Sequence, residues 1–238
     1  MTTILFLDGT WSAANERSVA SVALAEALPD SFGFAYVAYP AQFGPATGPG
    51  HMSHEESVQQ GVRALTAAVM EAVGRVVVAG YSQGAEVAVR FVRDILPKLE
   101  PEIRAKVVGL ATMGDPHQPV HDGNRSGILE PISGLGIWTS RRFVLGDPIA
   151  DLSGTSLLRV VAPLTKWMAI RSHEDVVKWG QEALAGLGQL PWWTYLRPWA
   201  ISSAAREIGN YLGTAHTTDY AETGVAAEVA HDITAAFS

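Results

Sequence analysis

The stretch Arg75-Val76-Val77-Val78-Ala79-Gly80-Tyr81-Ser82-Gln83-Gly84-Ala85-Glu86-Val87-Ala88-Val89-Arg90-Phe91-Val92 decides how the chain is read. It opens on an apolar run with the character of a strand buried on both faces. From Ala85 to Val92 the apolar residues recur at helical spacing. Between the two, Gly80-Tyr81-Ser82-Gln83-Gly84 must turn the chain sharply from strand into helix. Small residues two before and two after the serine are needed because the two backbones nearly touch there. The serine is then held strained with its hydroxyl exposed, and the helix N-terminus beneath it favours negative charge. The pentapeptide alone arises by chance in many chains, so its setting between such a strand and such a helix carries the weight. A plain Gly-rich turn cradling phosphate is the competing reading, and no other phosphate loop stands in the sequence.

Outward from this segment, short apolar runs alternate with helical patterns, the signature of βαβ units and a parallel sheet. The further runs are Ile4-Leu5-Phe6-Leu7, Phe34-Ala35-Tyr36-Val37-Ala38, Val107-Val108-Gly109-Leu110-Ala111 and Arg142-Phe143-Val144-Leu145. Helices are expected over about 17–28, 54–73 and 84–97, with a last amphipathic helix from Ala226 to Phe237. Ser53, followed three residues later by Glu56, marks the second helix start. Pro97 and Pro101 should end the third. Residues 113–140, rich in Gly and Pro, read as a long loop over one face of the sheet. Residues 156–213 read as a helical insertion holding Trp167, Trp179, Trp192, Trp193 and Trp199, five of the seven tryptophans. The expected fold class is therefore α/β: one domain over 1–238, a central, mostly parallel sheet of about five strands, and a helical cap at 156–213.

Composition narrows the function. The chain has 238 residues, 47% apolar and 17% charged, the profile of a globular protein. A formal charge of −7 argues against nucleic acid as a partner, since phosphate binding needs clustered Lys and Arg. No apolar run is long enough for a transmembrane helix. Met1-Thr2-Thr3 lacks the basic segment of a secretory leader, so synthesis in a cytoplasm without export is expected. Without cysteine there are neither disulfides nor thiolate metal sites. No metal or other cofactor is expected, as pairs such as His121-Asp122 do not make a ligand set.

A serine hydroxyl becomes a competent nucleophile when a histidine takes its proton and a carboxylate fixes that histidine's tautomer. In the α/β-hydrolase fold the chain order is Ser, then Asp or Glu, then His. His51 and His54 precede Ser82 and read as surface-loop and helix-start residues. His117 and His121 come before the best acid, His173 reads as a solvated helix start, and His231 as a solvent-facing residue of the last helix. His216, in the polar loop Gly213-Thr214-Ala215-His216-Thr217-Thr218-Asp219-Tyr220, is left as the base. Asp147 in Gly146-Asp147-Pro148 is the preferred acid, being late and directly after a strand. Asp115 in Gly114-Asp115-Pro116 competes with it, and Asp151 is a third candidate. The backbone N–H of Gln83 and a group on the loop Asp8-Gly9-Thr10-Trp11, Thr10 by preference, are expected to hold the oxyanion.

These residues bring a family into view. The strand-Gly-Thr-Trp start, Tyr39-Pro40-Ala41 with Phe43-Gly44-Pro45, the Gly80–Gly84 elbow, Gly114-Asp115-Pro116, Gly146-Asp147, and His216 with Tyr220 behind it resemble the lysin B proteins of mycobacteriophages. Those are cutinase-like serine esterases of the α/β-hydrolase fold. The resemblance spans nearly the whole chain, although only the elbow is sharply specific. It implies a triad of Ser82, Asp147 and His216, and hydrolysis of the ester joining mycolic acids to arabinogalactan, at the host envelope during lysis. It also implies that the aromatic-rich insertion is a linker subdomain over the site. Many relatives read Gly-Asn-Pro where this chain has Gly114-Asp115-Pro116, which keeps Asp115 in play. No peptidoglycan-binding module is expected ahead of the strand at residue 4. A general cutinase or lipase, and an envelope-binding protein that has lost the chemistry, are the rival functions.

Overall fold

In the computed structural model, residues 1–10, 12, 16–189, 207 and 214–238 are described. The centre is a parallel sheet of five strands. In chain order these are β1 (Thr2–Leu7), β2 (Phe32–Tyr36), β3 (Arg75–Tyr81), β4 (Val107–Met113) and, after a two-residue strand β5 (Arg125–Ser126), β6 (Trp138–Arg142). They lie side by side as β2-β1-β3-β4-β6, with β5 joined instead to β7 (Leu152–Ser153) in a small antiparallel ribbon. The order reverses between β1 and β3, and the crevice at such a switch point is where ligands bind in open parallel sheets.

Both faces of the sheet are covered, which explains the unbroken apolar runs. One face, with Ile4, Phe6, Val77, Ala79, Ala111 and Met113, packs against α1 (Val19–Ala27) and the C-terminal helix (Val225–Phe237). The other, with Leu5, Leu7, Val76, Val78 and Leu110, packs against α2 (His54–Glu71) and α3 (Gln83–Arg90). Burying a side chain of Val or Leu size contributes roughly 1.5–3 kcal/mol, so β3, buried from Val76 onward, is a main source of stability. Ser53 and Glu56 cap α2 reciprocally: the Glu56 N–H donates to Ser53 Oγ at 3.3 Å, and the Ser53 N–H to Glu56 Oε2 at 3.0 Å.

Three expectations are corrected. The fifth strand is 138–142, not 142–145. It is an edge strand rich in polar side chains: Ser140 Oγ donates to Asp232 at 2.6 Å, and Arg142 pairs with the same carboxylate at 2.9 Å. Phe143-Val144-Leu145 lies past the sheet, with Leu145 77% exposed, so Asp147 follows a loop rather than a strand end. The helix expected over 84–97 is α-helical only to Arg90. It then widens into a π-turn over Phe91–Ile95 and tightens into a 3-10 turn at Leu96–Lys98, where Pro97 has no N–H to continue the ladder. Pro101 opens a short helix, α4 (Pro101–Arg104), instead of closing one.

Of the proposed cap, the described part is α5 (Leu158–Thr165) and α6 (His173–Gln189). Trp167 and Trp179 serve this pair: Lys178 Nζ sits 4.1 Å from the Trp167 ring, and Trp179 Nε1 donates to Leu164 O at 2.7 Å. Trp192, Trp193 and Trp199 lie outside the described residues. The cap is tied to the start of α2 by Lys166–Glu55 at 2.8 Å and Arg171–Glu56 at 3.0 Å. The chain closes with α7 (Asp219–Glu222) and α8 (Val225–Phe237).

Candidate active site

Ser82 stands between β3 and α3 with φ 55° and ψ −120°, a left-handed conformation that non-glycine residues rarely adopt. The turn is tight in the way the flanking glycines require. A Cβ on Gly80 would lie 2.3 Å from Gly84 O, and one on Gly84 would lie 2.1 Å from Leu7 O. The turn is anchored across the sheet, where the Ser82 N–H donates to Met113 O at 3.0 Å.

The exposed hydroxyl meets an imidazole from the far end of the chain. Ser82 Oγ is 2.8 Å from His216 Nε2. On the other side of the ring, Nδ1 is 2.9 Å from both oxygens of Asp147. A carboxylate accepts only, so Nδ1 carries the proton and Nε2 turns its lone pair to the serine. His216 and Asp147 are both buried.

Asp147 and His216 are fixed in turn by two tyrosines. Tyr220, four residues after His216, donates its hydroxyl to Asp147 Oδ2 at 2.5 Å. Burial, together with the Asp147 carboxylate, pushes the Tyr220 phenol well above its ordinary pKa, so it stays a donor. Tyr81 donates to His216 O and stacks on the imidazole with centroids 5.4 Å apart. The Ile149 N–H completes the Asp147 cage at 2.9 Å. Neither tyrosine had been assigned a part from sequence. The signals were there: Tyr81 adjoins the serine inside the elbow, and Tyr220 sits at i+4 from the histidine.

The other two carboxylates singled out in the sequence have other partners. Asp115, wholly buried, binds Arg141 through Nη2 at 2.5 Å and Nε at 2.9 Å, and accepts from the His117 N–H at 2.7 Å. Asp151 accepts from Arg125, from the Gly146 N–H at 2.7 Å and faces His121 Nε2 at 3.0 Å. Burial works against its charge, but Arg125, Gly146 and His121 together hold its carboxyl below the usual range. It braces the loop that carries Asp147.

The remaining histidines also find places. His51 Nδ1 is 2.9 Å from Thr47 Oγ1, and His117 Nδ1 is 2.7 Å from Glu130 O. His231 is exposed on α8, and the side chain of His173 lies outside the described residues. His54 departs from the surface role expected of it. It is half-buried, lies 4.9 Å from the Phe43 ring, and faces the cavity described next.

A cavity of about 290 Å³ opens onto Ser82. Most of its wall is apolar: Leu158, Val161 and Ala162 from α5, with Ile128, Leu129 and Ile149 from the loops. Thr10, Gln83, His54, Glu86 and Lys166 are among its polar lining. Gln83 is the first residue of α3, where a backbone N–H has no partner within the helix. Its side chain is locked, accepting from Ser57 Oγ at 3.2 Å and donating to Gln42 O at 2.9 Å, which holds that N–H in position. Thr10 rims the cavity on a loop organised by Asp8, whose Oδ2 accepts from the Ser18 N–H at 2.9 Å and Ser21 Oγ at 2.8 Å. Among the described residues no cluster of three or more His, Asp or Glu is placed to hold a metal, and no helix is long and apolar enough to cross a membrane.

Three comparisons bear on this arrangement. The PE-PPE domain family profile matches residues 32–142, from β2 through β6. No curated protein matches the sequence. Among solved structures, lysin B from Mycobacteriophage D29 is similar with a TM-score of 0.61 and 19% identity, over 92% of this chain and 90% of that one. The catalytic core domain of acetyl xylan esterase from Trichoderma reesei is similar with a TM-score of 0.50 and 18% identity, over 79% of this chain and 98% of that one. At these identities the likeness is one of fold. The strand order, the elbow at Ser82 and these two neighbours together make the chain an α/β-hydrolase in fold, similar to lysin B along nearly its whole length.

Proposed function

We propose that the protein is a serine ester hydrolase of lysin B type, with Ser82 as nucleophile, His216 as base and Asp147 as acid, acting on the ester between mycolic acids and arabinogalactan. The observation that carries the proposal is the unbroken path from Asp147 through His216 to Ser82 Oγ, opening into an apolar cavity. Ser82 Oγ attacks the ester carbonyl carbon as its proton passes to His216 Nε2. The carbonyl oxygen becomes an oxyanion held by the Gln83 N–H and by Thr10, with the α3 N-terminus adding favourable dipole. His216 returns the proton to the leaving alcohol as the C–O bond breaks, and an acyl-serine remains. Water, deprotonated by the same imidazole, then releases the acid and restores the serine. Asp147 steadies the imidazolium formed in each half, and Tyr220 and Ile149 steady Asp147.

A long apolar acyl chain suits walls of Leu, Ile and Val under a helical cap. On this reading the enzyme is phage-encoded, is made in the host cytoplasm and reaches the cell envelope at lysis. Incubation with delipidated mycobacterial cell wall tests the substrate. Free mycolic acids should appear with the wild type and not with Ser82→Ala. Hydrolysis of nitrophenyl esters with no mycolate released would leave a general esterase of cutinase or lipase type. A folded protein inert on every ester would favour the envelope-binding reading.

A further inference from the structure

Among the described residues, Glu86 is the one carboxylate on the cavity wall. It sits one turn into α3, its N–H donating to Ser82 O at 3.2 Å, so it lies about 6 Å along the helix from the serine. The residue is 1% exposed. Its Oε1 meets Arg90 Nη1 at 3.3 Å, an ordinary i,i+4 pair. Its Oε2 is buried and accepts no hydrogen bond.

The neighbouring donors do not supply one. Arg90 turns both Nη atoms on Glu55, at 2.7 and 2.8 Å. Lys166 Nζ is 2.8 Å from the same Glu55. His54 Nε2 approaches Glu86 Oε2 to 3.4 Å without the alignment of a hydrogen bond. Burial lowers the His54 pKa, against the pull of Glu86 and Glu55, so the ring is neutral near pH 7. A buried carboxylate oxygen without a donor is costly, because it has lost its water and gained nothing in return. It marks a place where a donor arrives from the cavity. A cationic donor is disfavoured there, because Arg90 and Lys166 already flank the site. A neutral hydroxyl meets every demand.

Taking Ser82 as the nucleophile, we infer that the Glu86 end of the cavity is a hydroxyl-recognition subsite, so the preferred ester bears a hydroxyl on the chain that fills the cavity. The hydroxyl donates to Glu86 Oε2, and its oxygen accepts from His54 or Lys166. The subsite lies within a turn of the nucleophile, so it reads a hydroxyl a few bonds from the ester. The other walls stay apolar, so an unfunctionalised chain leaves Oε2 unsatisfied and is discriminated against.

The test compares kcat/KM on matched esters. One arm sets 4-nitrophenyl 3-hydroxyhexanoate against 4-nitrophenyl hexanoate, placing the hydroxyl on the acyl side. The other sets 4-hydroxybutyl hexanoate against butyl hexanoate, placing it on the alcohol. The wild type should favour the hydroxylated member at least about tenfold in one arm. Glu86→Leu, which removes the acceptor, should bring that ratio close to one, with Glu86→Gln between the two. If Glu86→Leu does not fold, Glu86→Gln carries the comparison. Wild-type ratios near one in both arms, on a protein whose Ser82 takes a phosphonate label, would overturn the subsite and leave the esterase reading intact. A preference unchanged in both variants would also overturn it. Failure to hydrolyse any ester, with no label at Ser82, would remove the esterase reading and the subsite with it.

Discussion

Replacing Asp115 by Asn and, separately, Asp147 by Asn should damage the protein in opposite ways. Both carboxylates are wholly buried, and both stand in a Gly-Asp-Pro sequence. Asp115 neutralises Arg141, whose side chain is only 7% exposed. Its amide variant strands a buried guanidinium, at a cost of about 3–5 kcal/mol. For a chain of this size each kcal/mol lowers the melting temperature by about 2–4 °C, so a fall of about 6–20 °C is expected. Ester hydrolysis by the folded fraction should stay within about threefold of wild type, since nothing in the Ser82–His216 pair touches Asp115. Asp147→Asn keeps the size and an acceptor for Tyr220, so its melting should shift by only about 1–2 kcal/mol in stability. Its kcat should fall about 10⁴-fold, because an amide neither holds the productive tautomer nor steadies the imidazolium. Thermal melts and a nitrophenyl-ester assay, run well below either transition, separate the two effects. An Asp115→Asn protein that is folded but inactive, beside an active Asp147→Asn, would refute the assignment of the acid.

Two further outcomes follow from groups around the site. Tyr220→Phe removes a hydrogen bond to a charged oxygen, so kcat should fall about 10–100-fold in initial-rate assays while the fold survives; an unchanged kcat would mean the tyrosine only fills space. Glu55 is held at about 2 although burial works against its charge, chiefly by hydrogen bonds from Arg90 and Lys166. A carboxyl lowered on folding stabilises the protein above its unfolded value of 4.5, and this stability is lost as pH falls from 4.5 to about 2. That contribution is about 3 kcal/mol. Denaturant titrations should show Glu55→Gln destabilised near neutrality, with the gap to wild type closing in acid; a gap independent of pH would contradict the linkage.

The parts legible in the sequence were those whose cause is local. Val76-Val77-Val78-Ala79 reads as a buried strand because both of its faces are covered, and the Ser53–Glu56 cap reads from spacing alone. The edge strand at 138–142 was missed because its polar side chains answer to Asp232 and Asp115, far along the chain, and not to a core. Asp115 and Asp147 look alike in sequence. They differ only in what the fold brings to them, an arginine 26 positions away for one and a histidine 69 positions away for the other. His54 and Glu86 carry no pattern at all, since their meeting depends on α2 lying beside α3 over the cavity.

The central claim is that the Ser82 hydroxyl is activated by His216 and open to the cavity. Labelling the folded protein with a fluorophosphonate, followed by peptide mass spectrometry, reads this directly. One adduct per chain should form on the peptide carrying Ser82, slow greatly in His216→Ala, and vanish in Ser82→Ala. A folded wild-type chain that stays unlabelled, or that carries the phosphonate on another serine, would contradict it.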